Sequence, residues 1–489
     1  MASSDHSGEV IVSKRTVRVH PDTTGRPRPG DRSGPRVRSQ AGRPTPLERG
    51  KRQPAGRRAG PTEIVAHRDD IVRQAYLRHA TDRGLIDSQH ELQLMDLVEP
   101  LIEITGYGEL DATMDTRVSG WETGGAEGQG LVFYTGNWFA SLSSNGGSSW
   151  VGVNQRRHRG PVDQTVQYCP QIDMFIWVHL PSDGGELLVS VIDPEEMNAS
   201  NAEDWTTWTF TPSLFPWVTD ASWWFDFPSL SIGDSFAYVV CNVPGAGRSA
   251  VFRIPLEDLR HRGGLRVSSL LLTRWGFRAA QDIADVGYFA AHSSTEGIEM
   301  WRWPESPGHT LHWAIDSIPT FDDSSYLTTL PDGTEWTADG DSDILGATRR
   351  NGNEIWYAWT AGADRRFPYP HVRVAITDAD LNVVGSRFIW NDRFAFAFPD
   401  LTTNARGDVG IVYAWGGGQE WVHTGIGLMT GIPAFVNVSF PGVAAGGHYL
   451  TIRRSHPDGA RFMGAVFWQE RQPDGVRRNH PQYVQFRRA

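Results

Sequence analysis

Three observations in the sequence predict an all-β fold closed into a ring of repeated sheets, a β-propeller. Gly (52), Pro (30) and Trp (20) are abundant in 489 residues, a mixture that suits short strands and tight turns. Helical periodicity disappears beyond about residue 105, and a short apolar strand recurs seven times in its place. The spacing of those strands is even enough for a repeat and too long for a sandwich or a parallel β-helix.

The strands are Leu131–Trp138, Met174–Leu180, Phe236–Asn242, Val286–His292, Glu354–Thr360, Val409–Trp415 and Phe462–Gln469. Their starts lie 43, 62, 50, 68, 55 and 53 residues apart. Several follow a shared pattern: Cys169-Pro170-Gln171-Ile172, Phe227-Pro228-Ser229-Leu230 and Phe398-Pro399-Asp400-Leu401. Looser versions are Gln281-Asp282-Ile283-Ala284 and Asp343-Ile344-Leu345-Gly346. A strand, a turn and a stronger strand are the first two strands of a blade. Seven blades are expected, with six as the alternative. The last unit offers His448–Arg453, Phe462–Gln469 and Tyr483–Arg487 before the sequence ends. Its fourth strand must come from elsewhere, and residues 104–114 are the free extended stretch that can supply it.

Ahead of the ring, residues 1–60 carry 14 Lys and Arg against 5 Asp and Glu, a net charge of +9, and little apolar periodicity. Such a segment cannot bury enough surface to offset its ordering entropy, so a disordered basic tail is expected. Nucleic acid is not an expected partner except through this tail, and residues 61–489, net −20, offer the tail a further option, lying back on the acidic body. Residues 61–103 read as a helical hairpin. Ile64, Val65, Ile71, Val72 and Tyr76 share one face, and Ser88 with Glu91 forms a capping box before a second apolar run. The propeller is then assigned to residues 104–489.

No apolar run is long enough for a membrane span and no secretory h-region is present, which leaves a cytoplasmic location or non-standard export. Cys169 and Cys241 each sit in an apolar run and read as buried thiols, with a disulfide between them as the other reading.

The segment Ser143-Ser144-Asn145-Gly146-Gly147-Ser148-Ser149-Trp150 resembles the Asp-box, S-x-D-x-G-x-x-W, of sialidase-like propellers with bacterial neuraminidase repeats. Ser143, Gly147 and Trp150 are in register, and Asn145 stands where the family has an acid. Asn keeps one acceptor oxygen for the turn. Phe252-Arg253-Ile254-Pro255 is similar to the F-R-I-P of sialidase catalytic domains, but it follows the Asp-box by about a hundred residues where the family has it first. Arg253 is therefore read as an outer-strand residue. The resemblance implies a propeller that recognises or processes carbohydrate at the mouth of its central channel. If catalytic, it would be a glycoside hydrolase or polysaccharide lyase. The alternative is a protein-interaction scaffold attached through the tail and hairpin.

Propeller ligands sit where innermost strands begin and second strands turn over. Asp226, Asp282, Arg278, Arg393 and Tyr449 are the candidate catalytic residues, acids facing cations as acid–base chemistry on a glycosidic bond requires. Asn137, His179, His292, Arg365, Trp359 and Trp415 are the candidate ligand contacts. Trp138, Trp223 and Trp224 also fall near strand ends, where an indole can stack on a sugar. Asp339, Asp341 and Asp343 alternate as in a calcium loop. Ile344 replaces the EF-hand glycine and Arg350 the terminal glutamate, so the readings are a structural Ca²⁺ or an ordinary acidic turn.

Overall fold

A computed structural model of the protein describes residues 6–10, 16–22, 101–110, 122–306, 311–337, 342–431, 433–438, 449–471 and 477–489. These residues form seven sheets, each with four strands of a blade in antiparallel succession. Blades 1 to 6 occupy residues 124–152, 161–210, 226–271, 278–317, 344–389 and 395–437. Blade 7 takes three strands from residues 451–488 and its outermost strand, Ile102–Glu109, from the N-terminal side of blade 1. Each of the seven expected apolar strands is the second strand of a blade, buried between its neighbours on both faces.

The seam forms as the incomplete last unit predicts. Ile102–Glu109 pairs with the end of Arg477–Arg488, setting Ile102 opposite Arg488, Ile104 opposite Phe486 and Gly108 opposite Tyr483. Of the stretch 104–114, residues 104–109 pair and 111–114 lie outside the described residues. The boundary at residue 103 moves back, because Ile102 and Glu103 already belong to the propeller. The rest of the expected helical hairpin, 61–100, lies outside the described residues.

Part of the basic tail differs from expectation. His6–Val10 adds a fifth strand to the outer edge of blade 4, and Thr16–Val19 one to blade 3. The Asp22 amide then donates to the Thr207 carbonyl on the outer strand of blade 2. Strand addition is made by backbone amides and carbonyls, so a segment of low apolar content can join an open edge.

The Phe-Pro pattern marks a bulge in the innermost strands. Register shifts occur between Val162 and Thr165, Asp226 and Ser229, and Ala397 and Asp400. Within these shifts Asp163, Phe227 and Phe398 take φ of 40°, 48° and 57°. Positive φ at a non-glycine residue costs about 1–3 kcal/mol and is kept where it re-aims a side chain. A bulge also accommodates Pro228 and Pro399, which cannot donate to a ladder. Cys169-Pro170 belongs to a different place, the turn leaving the innermost strand of blade 2. Cys169 and Cys241 are both buried free thiols.

The Ser143–Trp150 segment joins the third and fourth strands of blade 1. Ser143 Oγ accepts from the Gly147 amide at 2.9 Å, and Asn145 Oδ1 accepts from the Ser149 amide at 2.9 Å. Gly147 takes φ 87°, and an added Cβ would meet the Tyr483 ring at 2.5 Å. Trp150 stands edge-on to Tyr134 of its own blade and to Tyr483 of blade 7, with ring centroids 6.4 and 6.0 Å away. Its indole is half-buried across the seam, so Trp150→Ala is expected to cost about 2–3 kcal/mol in chemical denaturation, below the range for a fully buried Trp. A loss under about 0.5 kcal/mol would remove Trp150 from the account of the seam.

Candidate functional site

Innermost strands begin on one face, called here the upper face, where second and third strands are also joined. The channel below it is narrow and polar. Gln164, Thr165, Ser229, Arg278, Gln281, Asp400, Tyr449 and Arg453 line a cavity at its neck, contributed by five of the seven innermost strands or the segments leading into them. It has room for about two water molecules, too little for a sugar ring.

Below the cavity the channel is closed by side chains. Gln167 Nε2 donates to Gln281 Oε1 and to the Leu230 carbonyl, and Gln281 Nε2 donates to that carbonyl at 2.8 Å. Asp282 then ties four blades together. Its carboxylate accepts from Thr348 Oγ1 (3.0 Å), Thr402 Oγ1 (2.7 Å) and the Thr403 amide (2.6 Å), and pairs with Arg454 at 3.0 Å. Asp282 therefore serves as a staple at the lower end of the channel, away from Arg278 at the neck.

At the neck, Asp400 accepts from the Leu401 amide (2.9 Å), the Ile452 amide (3.0 Å) and Arg453 Nη1 (2.9 Å). Burial pushes its carboxyl above the usual range against the pull of Arg453. The Arg278 guanidinium lies 3.6 Å from the centre of the Phe227 ring and 5.8 Å from that of Tyr449. The bulge at Phe227 aims that ring into the channel. Tyr449 Oη accepts from the Gln164 amide at 3.1 Å, and burial raises its hydroxyl well above the usual phenol range. Tyr449 thus stays protonated, the opposite of what a nucleophile needs.

The remaining candidates divide by burial. Trp359 and Trp415 are each 1 % exposed, so neither can stack on a ligand. Trp359 packs against Phe321 and His292, and Trp415 stacks on His423 with centroids 4.4 Å apart. Residues 318–337, a long connection over blades 4 to 6, supply Phe321 and cover this side of the face. Asn137 is a buried link between blades. It donates to Glu122 and accepts from the Asp163 amide at 3.0 Å. His179 is buried against Trp177, with Nε2 3.3 Å from the His158 carbonyl. His292 is wedged between Phe321 and Trp359. Arg365 and Arg393 are exposed on upper-face loops, and Asp226 is half-buried where blade 3 begins. Arg253, expected on an outer strand, lies on the third strand of blade 3 between its second and fourth, its guanidinium over Trp303 and Phe236. Asp339 and Asp341 lie outside the described residues. Asp343 is half-buried opposite Gly276, and among the described residues no group of three metal-ligating side chains occurs. No helix among them is long and apolar enough to cross a membrane.

Blades 1 to 4 instead display tryptophan on the upper face. Trp138 is 41 % exposed, Trp224 42 % and Trp275 38 %. Each stands on a pinned segment. The Trp138 amide donates to the Pro161 carbonyl, and its φ is 53°. Next to Trp224, the buried Phe225 donates its amide to the Gly185 carbonyl at 3.0 Å. Trp275 is flanked by Arg274, paired with Glu299 at 2.5 Å, and by Gly276, whose amide donates to Asn242 Oδ1 at 3.1 Å. Arg159, bonded to Asp183 (2.7 Å) and Glu186 (2.6 Å), supplies polar groups on the same face. Trp275 escaped the sequence reading because it sits in a connection and not at the end of an apolar run.

Burial holds the pKa of His158 and His456 down at about 4, and of His179 and His292 at about 3. The unfolded chain takes up these protons near pH 6.5, before the folded one does, so stability is full above that pH and falls as pH drops toward 4. The loss is up to about 1.4 kcal/mol per histidine per pH unit. Urea midpoints at pH 7 and pH 5 should show the fall, and His292→Phe should make it shallower. Equal slopes in wild type and variant would contradict the burial of a neutral His292.

No protein-family model matches the chain, and no curated protein sequence matches it. Solved structures do. The GH93 α-L-arabinofuranosidase of Fusarium graminearum, in complex with arabinobiose, is 11 % identical over 78 % of this chain and 98 % of its own, with a TM-score of 0.38. YCF48 from Cyanidioschyzon merolae is 13 % identical over 78 % and 99 %, with a TM-score of 0.39. A subtype N11 neuraminidase-like protein of A/flat-faced bat/Peru/033/2010 (H18N11) is 9 % identical over 79 % and 95 %, with a TM-score of 0.37. The seven-bladed β-propeller is read from the strand pairing, and its solved neighbours include a glycoside hydrolase and a neuraminidase-like protein.

Proposed function

We propose that this propeller recognises carbohydrate on its upper face, without hydrolysing it, through Trp138, Trp224 and Trp275. The observation that carries this reading is the exposure of three indoles on one face, each held by a rigid segment. A large aromatic left partly in water forgoes a share of the about 1.5–3 kcal/mol that full burial is worth, and a strained φ at Trp138 adds to that cost. Rigid aromatic planes suit the flat C–H face of a sugar ring, and little conformational entropy is lost when one docks. Arg159, Asp183 and Glu186 add hydrogen-bonding groups for hydroxyls.

Binding is favoured over chemistry because the groups a glycosidase would use are committed elsewhere. Asp400 is held by Arg453, Asp282 by threonine donors and Arg454, and the Tyr449 hydroxyl keeps its proton. The neck is also too small to admit a glycosidic bond.

A glycan array on the full chain, followed by calorimetry on the best ligand, tests this. Trp138→Ala, Trp224→Ala and Trp275→Ala should each weaken binding by about tenfold or more, the loss expected for an aromatic contact, with little change in Tm. Aryl-glycosides should not turn over. Glycan binding that survives all three substitutions would sink the assignment of the face. Turnover abolished by Asp226→Asn would restore the catalytic reading, and silence on the array with capture of a polypeptide would favour the scaffold.

A further inference from the structure

We propose that the neck of the central channel is a binding site for one small monovalent anion of halide size. The argument starts from Arg278. It is 6 % exposed, and its Nε has no hydrogen-bond partner. Nη1 reaches only the Phe227 and Pro228 carbonyls, both at 3.4 Å, the outer limit of a hydrogen bond. No carboxylate among the described residues lies within ion-pair distance of it. A buried guanidinium keeps its proton, so its charge must be balanced by something close by. The faces of Phe227 and Tyr449 offer part of that balance, but an aromatic face is a weak counter-charge.

The carboxylate nearest the cavity is already used. Asp400 already accepts from Arg453 and two backbone amides, and Arg453 has an unpartnered Nε of its own. Two cations and one carboxylate thus line the cavity, and Asp343 acts on Arg278 only at longer range. The Thr165 and Ser229 hydroxyls are further donors in the lining, whereas the side-chain amides of Gln164 and Gln281 already donate to the Glu122 and Leu230 carbonyls. A space for about two waters that is lined by cations and donors fits a single halide. A sulfate or a sugar carboxylate carries more atoms than the space admits. The site is independent of the tryptophan face above it, and either assignment can fail alone.

The test compares sodium chloride or bromide with sodium gluconate at equal ionic strength, using the full chain. Halide should raise Tm in a saturable way, by the mass-action law for a ligand of the native state. Crystals grown in bromide should give an anomalous peak in contact with Arg278. In Arg278→Gln, both the halide-dependent shift and the peak should vanish. If that variant does not fold, the wild-type anomalous map decides by itself. Equal Tm in the two salts with no peak at Arg278 would overturn the proposal, as would peaks at surface positions alone, an adventitious ion only.

Discussion

Pairing of Ile102–Glu109 with Arg477–Arg488 is the interaction on which the rest of the molecule depends. A blade buries its faces against neighbours, so a ring of blades is stable only when no face is left open at the join. The seam joins strands about 380 residues apart in sequence, and side chains lock it from both sides. Glu103 pairs with Arg487 at 2.7 Å, and Thr105 Oγ1 donates to Gln485 Oε1 at 2.6 Å. Buried Glu127 of blade 1 accepts from Gln485 (2.6 Å) and Tyr483 (3.2 Å) of blade 7. Tyr134 donates from blade 1 to the Val466 carbonyl at 2.8 Å. A buried carboxylate tied across an interface by several donors contributes geometry: its cost is large if any partner moves.

A closed ring brings seven innermost strands around one axis, and that convergence decides what the channel can do. Three of these strands carry bulges with positive φ, at Asp163, Phe227 and Phe398. Below them, Arg278, Arg453, Asp400, Gln281 and Asp282 fill the axis with polar bonds between blades. The channel thus acts as a cross-link between blades. Recognition moves outward to the upper face, where residues 318–337 cover blades 4 to 6 and the tryptophans of blades 1 to 4 stay in water.

Much of this architecture is legible in the sequence, because a second blade strand is apolar on both faces and cannot be mistaken once it repeats. The seam is legible for the same reason: an unfinished last blade demands a strand, and one stretch was free to supply it. Site residues were harder to read. Trp359 and Trp415 end strands just as Trp138 follows one, but whether an indole there meets solvent depends on the loops above it. Residues 318–337 bury Trp359, while the short connection of blade 1 leaves Trp138 41 % exposed. Asp282 and Arg278 are four residues apart, yet one faces the lower end of the axis and the other its neck, a distinction that needs the direction of the strand. The tail strands His6–Val10 and Thr16–Val19 join by backbone pairing, with Val17 and Val19 alone packing on the core from the second, and composition carries no trace of that.

Native-state amide exchange tests the closure most directly. Amides of residues 102–109 and 482–488 should exchange only through global unfolding, as slowly as the central strands of blades 2 and 6. Removing residues 101–110 should strip protection from 482–488 and from the blade 1 face that holds Glu127 and Tyr134. Fast exchange across 102–109 in the intact chain, with 482–488 still protected, would contradict a ring closed by this pair of strands.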